Sequence, residues 1–129
     1  MKLYFDFGLP FVEIELTNGD KHIKLSKVLI DTGSASTIIS TEIAINLGLG
    51  PQPNDELNLV RGVGGVESVY EKLIEKIKLD TAIMRNLKLD IGAMQYGFDI
   101  DAIIGMDILK QAKVVINFFD ESITPMIFK

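Results

Sequence analysis

The sequence predicts a mainly-β protein, a closed barrel or sandwich of short strands with one or two short helices, and three observations support this. Apolar and polar residues alternate through much of the chain, which is the period of a strand with one buried face. The alternating runs are short and are broken by turn residues, as closed all-β architectures require. Only Thr41 to Leu47 and Met106 to Ala112 read as helices, and both are brief.

Taken in order, Lys2 to Phe7 and Phe11 to Leu16 alternate, most clearly in V12-E-I-E-L16. Asn18-Gly19 is a two-residue hairpin signal, and His22 to Ile30 resumes the strand pattern. T37-I-I-S40 leads into the first helix, for which Ser40 or Thr41 is the N-cap and Gly48 the stop. P51-Q-P-N-D55 is a loop. Leu57 to Arg61 reads as a strand, G62-V-G-G-V66 as a glycine-rich hairpin tip, and Val69 to Leu79 as the returning strand. Within that return E71-K-L-I-E-K-I77 also suits a helix, and the pattern leaves both open. Leu87 to Ala93 is a further strand, A102-I-I104 another, and Gly105 precedes the second helix. Lys113 to Phe119 and Ile123 to Phe128 read as the last two strands, with a turn at D120-E-S122.

Residues 1–129 contain no repeat, linker or low-complexity stretch and are read as a single domain, large enough for a real core. The composition is 47% apolar and 24% charged, as in a folded protein. A net charge of -5 speaks against nucleic acid or an anionic membrane as partner, since like charges repel. The chain has no cysteine, which excludes disulfides, thiolate catalysis and thiolate metal sites. No run is long enough for a membrane helix and the N-terminus lacks the pattern of a signal peptide, so the expectation is a soluble, cytoplasmic protein.

L29-I-D-T-G-S-A-S36 ends an apolar strand on a carboxylate. A buried carboxylate with no cationic neighbour in sequence is costly and must be paired, hydrogen-bonded or protonated. With V28-L-I-D-T-G-S-A-S36, the glycine-rich G62-V-G-G65 and I103-I-G-M-D-I-L109 in that order, the chain resembles the retropepsin-like single-domain aspartic proteases. The resemblance covers nearly the whole chain and implies a closed barrel of the acid-protease type, completed by the C-terminal strand. It also implies an endopeptidase needing no cofactor and no metal, with Asp31 as the catalytic residue.

In this chemistry two carboxylates share a proton, one activating water as general base and the other acting as general acid. The chain holds one D-T-G and is too short for two lobes. The resemblance therefore implies a homodimer that pairs Asp31 with its twofold mate and takes an extended peptide or protein as substrate. It further implies that Thr32 hydrogen-bonds across the twofold, that Gly33 lets the substrate approach, and that the Ser34 hydroxyl donates to Asp31. Gly62, Val63, Gly64 and Gly65 would form a flap over the substrate, and Ile103, Ile104 and Gly105 would pass behind the catalytic turn.

The chain departs from the retroviral pattern at Ala35 and Met106, where those enzymes commonly carry an acid and an arginine that pair near the dimer interface. Both partners are absent together, which leaves no stranded charge. G-M-D-I-L looks closer to non-viral, bacterial or archaeal members. A rival reading is a module with the same fold that binds peptides or dimerises without turnover.

Other features read more simply. Asp99, Asp101 and Asp107 could be metal ligands by type, but they read better as solvated strand and helix-start residues, Asp107 favoured by the helix dipole. The glycine-rich tip fits no phosphate-binding spacing. His22 stands alone and reads as a strand-surface residue. Met84, Met94, Met106 and Met126 read as core or groove fillers, and Lys72, Glu75, Lys76 and Lys78 as a solvated face.

Overall fold

Strand β1 (Tyr4–Asp6) pairs with β2 (Leu9–Asn18), which turns back into β3 (Lys21–Ile30) in the computed structural model; the structure describes residues 1–62, 65–94, 97 and 99–126. Then follow β4 (Ile38–Ser40), α1 (Thr41–Asn46), β5 (Leu57–Gly62), β6 (Gly65–Leu79) and β7 (Ala82–Gly92). The chain ends with β8 (Ala102–Ile104), α2 (Met106–Ala112), β9 (Val114–Asn117) and β10 (Ser122–Pro125).

Six strands in the order β2-β3-β8-β4-β7-β6 form one sheet, and β6 closes it on β2 through Glu15↔Lys78, Leu16↔Ile77 and Thr17↔Lys76. The result is the closed barrel expected from the sequence, with two short helices. Closure leaves none of these six strands as an edge, which removes unpaired backbone groups along most of the sheet. Val12, Leu16, Ile39, Ile74, Ile91 and Ile104 are fully buried inside. Each contributes roughly 1.5–3 kcal/mol by leaving water.

Ser40 is the N-cap of α1, its hydroxyl accepting the Ile43 N–H at 3.3 Å, and Gly48 follows the helix at φ +77°. Both belong to the predicted start and stop. The first hairpin turns at Gly19-Asp20, one residue beyond the Asn18-Gly19 signal, because Asn18 pairs with Lys21 and its side chain reaches the Leu47 carbonyl.

The stretch read as a returning strand that also suits a helix is strand throughout. Its apolar residues Ile74 and Ile77 are both buried although spaced by three, because the β6–β7 ladder is interrupted between them: the pairing runs from Ile74↔Leu87 to Lys76↔Arg85 and skips Glu75 and Asn86, where Asn86 takes φ +55°. A positive φ on a non-glycine residue marks the irregularity. β7 begins five residues before the predicted Leu87, at Ala82, after a tight turn at Asp80-Thr81. Asp80 takes φ +53° there, the left-handed conformation that a two-residue hairpin demands.

The C-terminal strands do not complete the barrel. β9 and β10 pair only with each other, from Val114↔Pro125 to Asn117↔Ser122, and meet the N-terminus through a bridge between Lys2 and Ser122. The barrel has no vacant edge for them, because β2 is already taken by β6.

Candidate active site

β3 carries the chain to Asp31. Val28, Leu29 and Ile30 run parallel to Ala102, Ile103 and Ile104 of β8, and the Asp31 N–H extends this ladder by donating to the Ile104 carbonyl at 3.0 Å. The strand then breaks into a tight turn. The Ser34 N–H donates to the Asp31 carbonyl at 3.2 Å, and the Gly33 N–H donates to Asp31 Oδ1 at 2.9 Å. A Cβ on Gly33 would stand 3.2 Å from that same oxygen, so glycine permits the close approach. Asp31 is half-buried, and Thr32 and Gly33 are exposed. Among the described residues no other donor reaches the Asp31 carboxylate.

Ser34 does not do what the resemblance implies. Its hydroxyl donates to the Ser36 carbonyl at 2.7 Å and not to Asp31. The reason lies in the turn, where the Gly33 amide already serves the near carboxylate oxygen and the Ser36 carbonyl would otherwise lack a donor.

Gly105 lies against the backbone of Ser34 and Ser36. A Cβ there would fall 2.6 Å from the Ser36 carbonyl oxygen and 2.8 Å from that of Ser34, distances that backbone atoms cannot yield. Only glycine lets β8 and α2 pass this close. Ile103 pairs with Leu29 and Ile38, and Ile104 with Ile30, so both isoleucines of the motif hold the strands that flank the turn.

The start of α2 then grips the turn. The Met106 N–H donates to the Ser34 carbonyl at 2.8 Å, and the Asp107 N–H donates to that of Ala35 at 3.2 Å. The Asp107 carboxylate receives the Thr37 N–H at 3.0 Å and the Thr37 hydroxyl at 2.7 Å. Thr37 is fully buried, and its Oγ1 in turn accepts the Gly105 N–H at 3.0 Å. Asp107 does sit exposed in the first helical turn, as the sequence predicts, but its anchoring of Thr37 was not legible. A Thr–Asp pair 70 residues apart leaves no periodic signal.

A second residue missed by the sequence is Asp90 on β7. It is 8% exposed and accepts the Ser36 hydroxyl at 2.8 Å. Burial pushes its carboxyl above the ordinary carboxylate value; the Ser36 hydrogen bond opposes this, and the charges of Glu71 and Asp107 add to it. In L87-K-L-D-I91 the alternation assigns Asp90 an outward place, so nothing local announces its burial.

Beside the turn lies a small apolar cluster of Ile38, Met94, Ile100 and Ile103, with Leu29 and Val60 packed on it. Val60 comes from β5, so the β5–β6 hairpin leans over this cluster. Its arms pair from Leu57↔Tyr70 to Gly62↔Gly65, and Gly65 takes φ +102°. Glu67 of β6 accepts the Met94 N–H at 3.0 Å. Val63 and Gly64, the centre of the expected flap, lie outside the described residues. One surface concavity borders this cluster, lined by Ser40, Met94 and Ile100, and another is lined by Tyr4, Phe7 and Phe11; Asp31 lines neither.

The remaining residues singled out by the sequence stand apart from the turn. Asp99 pairs with Lys27 at 3.3 Å, and the Asp101 carbonyl accepts the Ser40 N–H. His22 is exposed on β3 between Thr17 and Glu15. Met84 and Met94 are buried and Met106 packs on the core, whereas Met126 is exposed. Lys72 is not part of a solvated face: it pairs with Asp55 at 2.8 Å with both side chains largely covered, because the loop before β5 folds over it. That contact holds the Asp55 carboxyl below its ordinary value.

A closed barrel whose strand ends in D-T-G, backed by a glycine that nothing larger could replace, defines an aspartic-protease fold. A family model described as gag-polyprotein putative aspartyl protease matches residues 18–111, from the first hairpin through α2, and the chain belongs to this retropepsin-like family. No curated protein matches the chain. Among the described residues no helix is long and apolar enough to cross a membrane.

Proposed function

We propose that the protein is an aspartic endopeptidase acting as a homodimer, with Asp31 of each protomer forming the catalytic dyad. One observation carries this reading. Asp31 stands on a turn with exposed tips, clamped from behind, with one carboxylate oxygen held by the Gly33 N–H and no donor among the described residues on the other. Such a carboxylate is positioned to share a proton with an equivalent one across a twofold axis.

In the proposed reaction the ionised carboxylate takes a proton from a water held between the two acids. The water oxygen bonds to the scissile carbonyl carbon as the protonated carboxyl gives its proton to the carbonyl oxygen. Collapse of the tetrahedral diol breaks the C–N bond: the proton taken from water passes to the leaving amine, and one diol hydroxyl returns its proton to the other carboxylate, which re-forms the carbonyl and restores the dyad. Thr32 would bridge the two turns, the segment Gly62 to Gly65 would close over an extended peptide, and Leu29, Val60 and Ile103 would offer it apolar contact. The cysteine-free chain suits the reducing cytoplasm, where we place it.

The test is digestion of a peptide library from about pH 4 to about pH 7 by the wild type and Asp31→Asn. Asp31→Asn should lose at least about a hundredfold in rate. Equal rates would remove Asp31 from the chemistry, and a strict monomer by sedimentation at micromolar concentration would remove the dyad. A second reading, a peptide-binding or dimerisation module without turnover, is favoured by the Ser34 hydroxyl engaging Ser36 and by Ala35 and Met106 replacing a charged pair. A dimer that binds a pepstatin-like transition-state mimic tightly favours the enzyme.

A further inference from the structure

We infer that Asp90 is a positioning residue that makes the hold on the Asp31 turn depend on pH: the closed arrangement buries its carboxyl beside Ser36 and two other acids, and although the Ser36 hydroxyl favours the anion, the burial and the neighbouring acids outweigh it, so that ionisation loosens the turn. The inference deepens the proposed function and rests on it only for the consequence in activity.

Asp90 is tied to the turn by two bonds. Its Oδ2 accepts the Ser36 hydroxyl at 2.8 Å, and its N–H donates to the Thr37 carbonyl at 3.2 Å. From Ser36 the connection continues inward. The Ser36 carbonyl receives the Ser34 hydroxyl, and the Ser34 N–H donates to the Asp31 carbonyl. A shift of Ser36 therefore reaches Asp31 through one residue.

The surroundings disfavour a charge at Asp90. On one side β4 presents Ile38 in register with it, and on the other β6 presents Glu71, itself hydrogen-bonded to Asn58 at 2.9 Å. α2 presents Asp107, already committed to Thr37. The cation next along β6, Lys72, is paired with Asp55, and Lys88 on β7 itself is exposed. Among the described residues no ion pair holds Asp90. A largely buried acid facing two acids gains from added water once it ionises, and parting of β7 from the 36–37 segment would admit more of it. The raised carboxyl described above is the thermodynamic face of this geometry: protonation favours the closed arrangement, and rising pH favours the opened one.

Amide exchange on the full chain tests this, with Asp90→Asn as the isosteric variant that cannot ionise and Ser36→Ala as the variant that lacks the link. After correction for the intrinsic rate, protection of the Ser34 and Asp90 amides should fall at least about threefold between about pH 4 and about pH 7 in the wild type. It should stay level in Asp90→Asn. In Ser36→Ala the Asp90 amide should still respond while the Ser34 amide should not. In the peptide assay the upper pH limb of kcat should extend to higher pH in Asp90→Asn. Superimposable exchange and pH profiles in the wild type and Asp90→Asn would overturn the inference. Loss of protection in a wild type that cleaves no peptide would support the inference while refuting the catalytic reading.

Discussion

The Thr37 hydroxyl donates to Asp107 Oδ1 at 2.7 Å while its oxygen accepts the Gly105 N–H at 3.0 Å, so one buried side chain joins the segment after the Asp31 turn to both the end of β8 and the start of α2. Replacing it leaves two groups unserved. Thr37→Val keeps the shape but removes the acceptor for Gly105 and a donor to Asp107, and should cost about 1–3 kcal/mol. Urea denaturation measures this, with the midpoint falling at unchanged slope.

Gly105→Ala should be worse than its single methyl suggests. The new Cβ meets the Ser36 carbonyl at 2.6 Å, and relief requires moving the turn or the helix. A loss of about 1–3 kcal/mol is expected, as for overpacking elsewhere. The control is Gly50→Ala, whose Cβ would meet Ile45 at an ordinary 3.6 Å and should change stability by less than about 0.5 kcal/mol. Equal effects of the two variants would show that the close approach is not what Gly105 provides.

Ser40→Ala removes the side-chain acceptor at the start of α1. The helix is short, from Thr41 to Asn46, and depends on this cap for one of its free N–H groups. The expected cost is about 1 kcal/mol, with Ser40→Asp restoring most of it. Thermal melts of the three proteins provide the comparison.

Two carboxylates should give opposite pH dependences. Asp55 is lowered by its hydrogen bond from Lys72, so its contribution is present above the unfolded carboxylate value and is lost as pH falls through the folded one. Lys72→Met should therefore lower Tm near neutrality and matter little in strong acid.

Asp90 is raised chiefly by burial, so its favourable contribution is full below the unfolded value and is lost as pH rises through the folded one. Asp90→Asn should raise Tm near pH 7 relative to wild type and lose that advantage below about pH 4. Melting curves across pH resolve the two, and a neutral-pH loss of stability in Asp90→Asn would contradict the sign.

Much of the barrel could be read because strands announce themselves locally. V12-E-I-E-L16 alternates, Gly48 ends a helix, and the close approach behind the turn demanded a glycine at 105. Where reading failed, a local pattern had two physical meanings. Ile74 and Ile77 share a spacing with helices because the β6–β7 ladder is interrupted at Glu75 and Asn86, an irregularity that only the pairing reveals. Lys72 looked solvated because its partner Asp55 lies on a loop whose course the sequence leaves open.

By itself the sequence determined the alternation that buries one strand face, the D-T-G turn that closes on its own carboxylate, and the single copy of that turn. Those are effects of neighbouring residues, decided by side-chain period and turn stereochemistry. Only the tertiary structure decided that Ser34 turns to Ser36, that Asp107 holds Thr37 and that Asp90 lies buried against Ser36. The last two join residues 70 and 54 positions apart. Contacts of that range follow from strand register and barrel closure, and a carboxylate shows no local sign of the distant hydroxyl it will meet.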